Sequence, residues 1–588
     1  MPSDPSIQRR AFLAGSAGTV AATSGCIGNL RNLVGRERAQ QLSLDIATLP
    51  ASSDPYAVRI ANHLTDNLEL AGIDAGPPEP MEPDVLLRDI LINQDFDLYV
   101  LQYPSEGHPG ELRSMLYSTY GEEAGWQNPF GFSNLEMDDR LDAQRAADAE
   151  SRIEAVRETQ RQVVREQPFT VVAFPDHIAG IRTDRFTGWS AGGLPDTASY
   201  FRLESTGETD TLRLLLQDPR ATMNRNPIAV EHRNRGVVTG LFYDPLVRRL
   251  DGTRTPWLAS SVDWDDDGAG LAATVELREA SWHDGEPLTA DDVAFTYEFL
   301  NDTSLGSFET PVPTPWRRGR VDLVDSVEAR DDRTLRMTFT TENTETASSA
   351  LGVLILPKHV WSERTDSADV AGVEVAGQTT EALVWANENP VGSGPFRFES
   401  AEPDENLRLV RFDDHFLHRG DDGGVPEPYA SGVDFQRIDF EVTPSNDAAV
   451  EMLENDDADA SADGLQASVI PRIGRSDDIS LTITRRQSFY HIGYNCRQAP
   501  MSDPRFRRTV ARLIDREYLI SSVFNSYAEA TEVPFTGRWT PEGLEWDGTA
   551  ELSFLGTDGE LDVSAAKSAF MDAGYQYEDD QLVSRGDN

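Results

Sequence analysis

Hydrophobic positions along this chain change their period several times, and each change predicts an element. In residues 42–47 (LSLDIA) apolar and polar side chains alternate as in a half-buried strand, after which Ala57, Ile60, Ala61, Leu64 and Leu68 recur at helical spacing. Residues 97–101 (DLYVL) predict a second, buried strand. Strand, helix and strand in this rhythm imply a parallel sheet flanked by helices. Residues 138–167 carry one long amphipathic helical pattern, and residues 169–174 a further strand. At 205–211 the pattern breaks into STGETDT, a polar, glycine-containing connector. Farther on, Val275 and Leu277 alternate as a strand, Asp284 and Gly285 make a turn, Thr289 and Asp292 form a cap, and Val293, Phe295, Tyr297 and Leu300 lie on the helix that follows. The expected fold class is α/β.

Length and charge add to this picture. At 588 residues the chain exceeds what one hydrophobic core serves, so two or more lobes with a cleft between them are expected. Asp and Glu number 100 against 52 Lys and Arg, a net charge of −48, and lysine occurs only at Lys358 and Lys567. The acids are spread along the whole chain, as expected of a protein adapted to high salt in a haloarchaeal-like cell, where a Debye length of roughly 3 Å near 1 M screens self-repulsion. No basic stripe exists to meet phosphates, so nucleic acid is not an expected partner. Neither lysine follows a glycine, which excludes a phosphate-binding Walker loop and hence an ATPase.

The first 26 residues read as an address. Arg9, Arg10, Ala11, Phe12 and Leu13 form a twin-arginine pattern, followed by the weakly apolar AGSAGTVAATSG and Cys26. This resembles a Tat lipoprotein signal, with Cys26 as the lipidated residue and 27–41 as a tether. The apolar stretch is too short for a spanning helix, which needs about 20 apolar residues. With Cys26 lipidated only Cys496 remains, so no intramolecular disulfide is expected.

Residues 275–300, VELREASWHDGEPLTADDVAFTYEFL, resemble the signature segment of family 5 extracellular solute-binding proteins, the peptide- and nickel-type receptors of ABC importers. The likeness extends over most of 212–588, through LRLLLQDPRATMNRNP, the YDPLVR turn, ILPKHVW (355–361), NPVGSGPFRFES (389–400) and residues 493–524. Family chains begin with the segment found here at 212, and continue past the AGY helix near 574 into strands and helices that lie here at the front, in 42–183. The resemblance therefore implies a type II periplasmic-binding-protein-like fold in circularly permuted order. One lobe would combine 42–183 with 480–588. The other would combine 184–203 with 212–479 and hold a smaller inserted domain at about 247–365, with 204–211 joining the old termini.

The family likeness also implies where a solute would bind. Tyr103, Ser105 and Glu106 follow the strand ending at Leu101, where peptide-binding relatives carry an aromatic residue and then an aspartate that pairs with the peptide α-ammonium. Counting from Pro109 puts Ser105 at the aspartate position, whereas counting from Phe96 and Asp97 puts Glu106 there and Tyr103 at the aromatic. On the other side, Glu231, Arg233 and Arg235 form an arginine-rich loop able to fork onto a ligand carboxylate.

Two further patterns compete with this reading. His415 and His418 lie three apart beside Asp413 and Asp414, a spacing open to metal, but the surrounding residues read as a strand running into an acidic turn and no metal is expected. Gly188, Trp189, Ser190, Ala191 and Gly192 match GxSxG, yet a nucleophile elbow needs a buried strand before the serine and a helix after it, whereas polar residues precede this one and Gly193, Leu194 and Pro195 follow. The expectation is a non-enzymatic, monomeric, lipid-anchored extracellular receptor without a cofactor, delivering a small solute to permease subunits served by a separate ATPase. Short peptides are the expected solute; oligosaccharides and nickel or other metal chelates are the alternatives, and a secreted hydrolase using Ser190 is the reading of a different class.

Overall fold

One strand of fourteen residues, Phe169–Arg182, organises the molecule. In the computed structural model, which describes residues 40–583 apart from 149, 208, 230–236, 267–269, 369–378, 420–423, 431–432 and 547–550, this strand takes different partners along its length. Its first part pairs antiparallel with Phe489–Tyr494, which passes the sheet on to Leu98–Tyr103, Ile46–Thr48 and Glu79–Pro80. Its second part pairs antiparallel with Ile479–Arg485 and touches Ala460–Ser461, beyond which lie Thr211–Leu216, Arg437–Val442 and the hairpin Asn406–Arg411 with Phe396–Glu402. The exchange of partners falls between Ala173 and Asp176 on the long strand and between Arg485 and Phe489 on its neighbour.

The buried side chains follow the same division. One apolar cluster draws only on residues between Ile181 and Ala460, and two others draw on Leu42 to Phe174 together with Phe489 to Leu582. A separate four-stranded antiparallel sheet, Ala259–Asp266, Leu271–Leu277, Thr334–Phe339 and Val324–Ala329, carries the helix Ala290–Asn301 against it. Its predicted cap is present: the Asp292 carboxylate accepts the Thr289 backbone N–H at 2.9 Å, and its other oxygen accepts that of Lys358 at 2.9 Å.

The predicted strand, helix and strand at the front form as Ile46–Thr48, Pro55–Leu70 and Leu98–Tyr103. The helix buries Ile60, Leu64 and Leu68, and Asp54 caps it by accepting the N–H groups of Tyr56 and Ala57 at 3.1 and 3.0 Å. The long helix predicted for 138–167 is instead two, Leu135–Ala146 and Arg152–Glu166. Asp148 accepts the N–H groups of Glu150 and Ser151 at 3.1 and 2.8 Å, starting a new helical end, while Asn343 and Thr341 donate to the carbonyls of Ala147 and Arg145 at 2.5 and 2.9 Å. Tertiary partners thus compensate the carbonyls that the break exposes.

The two ends of the described chain meet. Leu42 N–H donates to the Leu582 carbonyl at 2.8 Å, and Leu582 N–H to the Gly72 carbonyl at 2.8 Å. Gly72 has φ +90°, and a Cβ there would stand 2.4 Å from the Asp580 carbonyl oxygen, so this approach of backbones requires glycine. Elsewhere Phe186–Thr187 pairs with Glu204–Ser205, and Ser205 N–H donates to Asp434 at 2.9 Å while Gln436 N–H donates to the Asp210 carbonyl at 2.7 Å. Both ends of the polar connector are therefore anchored on one short stretch.

Two buried carboxylates generate expectations. Asp244 accepts from Arg248, Trp257 and His415 at 3.1, 2.6 and 3.1 Å, and Asp244→Ala, which strands a buried guanidinium, is expected to cost about 3–5 kcal/mol in urea denaturation. Asp54 also accepts from the Tyr490 hydroxyl at 3.0 Å, and burial, only partly offset by its hydrogen bonds, raises its carboxyl from 3.8 to about 6. The folded chain then holds a proton through a window in which the unfolded chain has released it, so this group's contribution to stability falls as pH rises from about 3.8 to about 6 and is level above. Asp54→Asn keeps a capping oxygen and is expected to lose that slope relative to the parent; parallel slopes across pH 4, 5, 6 and 7 would refute the assignment.

Candidate functional site

Beyond the strand Leu98–Tyr103 the chain turns through residues 104–110 into the helix Glu111–Leu116, and this turn faces residues 316–349 of the segment holding the four-stranded sheet. Between them lies a cavity of about 80 Å³ lined by Tyr103, Glu106, Glu111, Arg152, Trp316 and Arg320 among others. A wider recess of about 400 Å³ adjoins it and shares His108, with Arg249, Arg254, Trp264, Arg538 and Trp539 in its walls. The parallel and antiparallel pairing of Leu98–Tyr103 with its neighbours positions this turn at the strand's C-terminal end, where open α/β sheets collect their ligands.

Three of the site residues expected from the sequence line or adjoin this cavity. Tyr103 is buried, stacked on Phe489 with ring centroids 5.5 Å apart and edge-on to Trp126 at 5.6 Å, so it forms an apolar wall. Ser105 is buried in the turn, and its hydroxyl accepts the Gly107 N–H at 3.0 Å. Glu106 reaches across the cavity to Arg317 at 2.9 Å and also pairs with Arg320. Burial alone would raise the Glu106 carboxyl, but the two guanidinium charges outweigh it and hold the group at about 2, fully ionised. Arg317 adopts φ 60°, in the left-handed region, at the start of the short helix Arg318–Val321. A non-glycine residue there is strained by about 1 kcal/mol or more, so the backbone yields to present this pair.

Glu111 sits behind Glu106 and shows the opposite shift. Its carboxylate accepts the N–H groups of Glu106 and His108 at 3.1 and 3.2 Å, yet burial and then the Glu106 charge raise it to about 7. Two adjacent carboxyls thus divide into one kept charged by arginines and one able to hold a proton near neutrality. His108 is driven well below its ordinary range by burial and then by Arg152, Arg254 and Arg320, so it is neutral.

Glu231, Arg233 and Arg235, and likewise Cys26, lie outside the described residues. The cavity arginines escaped the sequence reading because they come from four distant segments. One signal was present: WRRGR at 316–320 places three arginines within four positions of a strongly acidic chain.

The competing patterns resolve locally. His415 is buried on Asp244, and burial, then His415 and Arg411, push His418 down to about 3. Among the described residues no group of three or more His, Cys, Asp or Glu side chains is placed to hold a metal. Ser190 lies in a turn and donates its hydroxyl to the Gly193 carbonyl at 2.6 Å, without the strand and helix an elbow requires. Among the described residues no helix is long and apolar enough to cross a membrane.

The profile described as bacterial extracellular solute-binding proteins, family 5 Middle, matches residues 253–586. The chain is 26% identical over 280 residues to the oligopeptide-binding protein AppA of Bacillus subtilis, covering 47% of this chain and 45% of that protein. It is 27% identical over 327 residues to the peptidoglycan-binding protein YepA of Agrobacterium fabrum, covering 51% and 46%. The chain thus spans about half the length of the curated relatives it matches. Among solved structures it is similar to NikZ from Campylobacter jejuni in complex with Ni(L-His), with TM-score 0.43, 18% identity and coverage of 64% and 66%. It is also similar to DppA from Helicobacter pylori in complex with a peptide, with TM-score 0.44, 20% identity and coverage of 62% and 67%. The family match takes in more than half of the chain, including the Arg317 and Arg320 wall of the cavity, and the protein belongs to the family 5 extracellular solute-binding proteins.

Proposed function

We propose that this protein is a lipid-anchored extracellular receptor that captures short peptides for an ABC import permease, and that its lobes are written in circularly permuted order. The cavity between the turn after Tyr103 and residues 316–349 carries the reading: in a solute-binding family, it is a recess with aromatic walls and a few converging charged groups. Peptide specificity is supported by the names of relatives, the oligopeptide-binding AppA of Bacillus subtilis and putative ABC transporter peptide-binding proteins of Brucella. Tyr103 would form the floor and Ser105 and Glu106 the near wall. Glu106 is already engaged by Arg317 and Arg320, so a peptide ammonium reaching it would have to replace a guanidinium. Solute capture needs no nucleophile, and the engaged Ser190 hydroxyl adds nothing to the hydrolase reading.

The permuted order is supported by two junctions. The family match runs to 586, and residues 41 and 42 pair with 583 and 582, where the family's chain would continue. The other junction, 204–211, leads from one anchored end to another on residues 434–436. A tether at 27–41 would then enter the half carrying Glu106 and orient that half toward the membrane.

A chain reopened between Ser205 and Thr211, with residue 583 joined to residue 40 by a short flexible linker, is expected to unfold cooperatively within roughly 1 °C of the parent, the shift that about 1 kcal/mol produces in a chain of this length. Loss of a cooperative transition would overturn the permutation. Mass spectrometry of the solute that co-purifies with the folded parent should find short peptides, and a sugar or a metal chelate would overturn that specificity.

A further inference from the structure

The chain has 100 acids against 52 bases, yet the walls of the two joined cavities hold nine arginines and three glutamates. Three of those arginines are matched locally, Arg113 by Asp142, Arg145 by Asp322 and Arg318 by Glu123. Arg317 and Arg320 share Glu106. Four remain around His108, namely Arg152, Arg249, Arg254 and Arg538. The acid facing them is Glu345, 3.9 Å from Arg538, which meets Arg254 only through its backbone carbonyl at 3.0 Å.

Arg152 decides the matter. It is 2% exposed, its Nε and Nη1 have no hydrogen-bond partner, and its Nη2 lies 3.5 Å from His108 Nε2. It is also the first residue of the helix Arg152–Glu166, where the helix dipole favours an anion over a cation. A buried guanidinium with unpaired donors at a positive helix end destabilises the fold, and acceptors brought by a ligand would satisfy it. Burial and then the charges of Arg320 and Arg249 lower Arg254 to about 10, which still leaves it charged at neutral pH. Arg538, its guanidinium 4.3 Å from the Trp539 ring centroid, holds a further charge at the rim.

We propose that Arg152, Arg249, Arg254 and Arg538 form a carboxylate-binding subsite and that the solute taken by this cleft is an acidic peptide bearing more than one carboxylate. The proposal rests on the cavity being the solute site. Guanidinium forks suit carboxylates in bidentate geometry, and the subsite opens to the wider recess, so the anionic end would enter deepest at Arg152. Local arginines would discriminate between ligands at contact distance, where screening by salt is weakest.

The test is isothermal titration calorimetry at one fixed salt concentration with triglutamate, trialanine, trilysine and citrate, on the parent, Arg152→Gln and Arg254→Gln. Triglutamate should bind the parent at least tenfold more tightly than trialanine, with trilysine weaker still, and each variant should lose at least tenfold in triglutamate affinity. Unliganded Arg152→Gln should melt no lower than the parent, because an unpaired buried charge has been removed; a lower melting temperature would show that Arg152 serves the fold. Equal affinity for all three peptides would overturn the subsite while leaving the peptide receptor standing. Citrate binding that both variants weaken tenfold, without binding of any peptide, would sustain the subsite and overturn the peptide reading. No binding of any probe would overturn both.

Discussion

The rest of the structure depends on the continuity of one strand. Because Phe169–Arg182 pairs with Phe489–Tyr494 in its first part and with Ile479–Arg485 in its second, two halves with separate apolar cores share a single hydrogen-bonded backbone. A sheet resists shear along its ladder and yields more readily to bending or twisting where partners change. The exchange between Ala173 and Asp176, with residues 486–488 beside it, is where the halves would bend against one another, with Ala528–Ala530 laddered onto Ala173–Pro175 as a restraint. Tyr103, on a strand of the first half, and Arg317, within the chain span of the second half's cluster, line one cavity from its two sides.

Charge across that cleft is the second constraint. Glu106 ties the turn after Tyr103 to Arg317 and Arg320, and Tyr120 and Arg145 both reach Asp322 from the same side, at 2.9 and 3.1 Å. These links join residues 177 to 214 positions apart, and they are partly exposed. Partly exposed pairs contribute about 0–1 kcal/mol each, so a ligand with its own charges could compete for them. The strained backbone at Arg317 fits the same account, since the geometry that meets Glu106 is held against a conformational cost.

Much of the fold was legible because its signals are local. The alternation at 42–47, the helical spacing from Ala57 to Leu68 and the cap at Thr289 and Asp292 each describe contacts within a few residues; the helix and the cap formed, and the strand formed over Ile46–Thr48. The helix predicted for 138–167 broke where Asp148 accepts the N–H groups of Glu150 and Ser151, and Thr341 and Asn343 take the exposed carbonyls, tertiary contacts that no periodicity carries. The partner exchange along Phe169–Arg182 was missed because the sequence reading ended that strand at Phe174, just before Pro175, Asp176 and His177, where the pairing changes. At the site, Tyr103 and Glu106 were legible through a family likeness, while Arg152, Arg254 and Arg538 were not. A cluster assembled from distant segments leaves no spacing to read; only the three arginines at 317–320 hinted at it.

In the permuted reading, the order of segments matters less to this fold than their contacts do. Every ladder of the sheet survives a change in where the chain is cut, provided the old ends lie together and the new ends fall outside the ladders, and the anchoring of 205 and 210 near Asp434 meets the first requirement. Closing a loop scales only with the logarithm of its length, so exchanging one short connector for another alters stability by well under about 1 kcal/mol. What such a rearrangement does change is which half lies beside the first described residues of the chain. Leu42 belongs to the core beneath the strand that carries Tyr103, so a tether at that end would hold one wall of the cleft near its anchor and leave the wall of Arg317 and Arg320 as the part that moves.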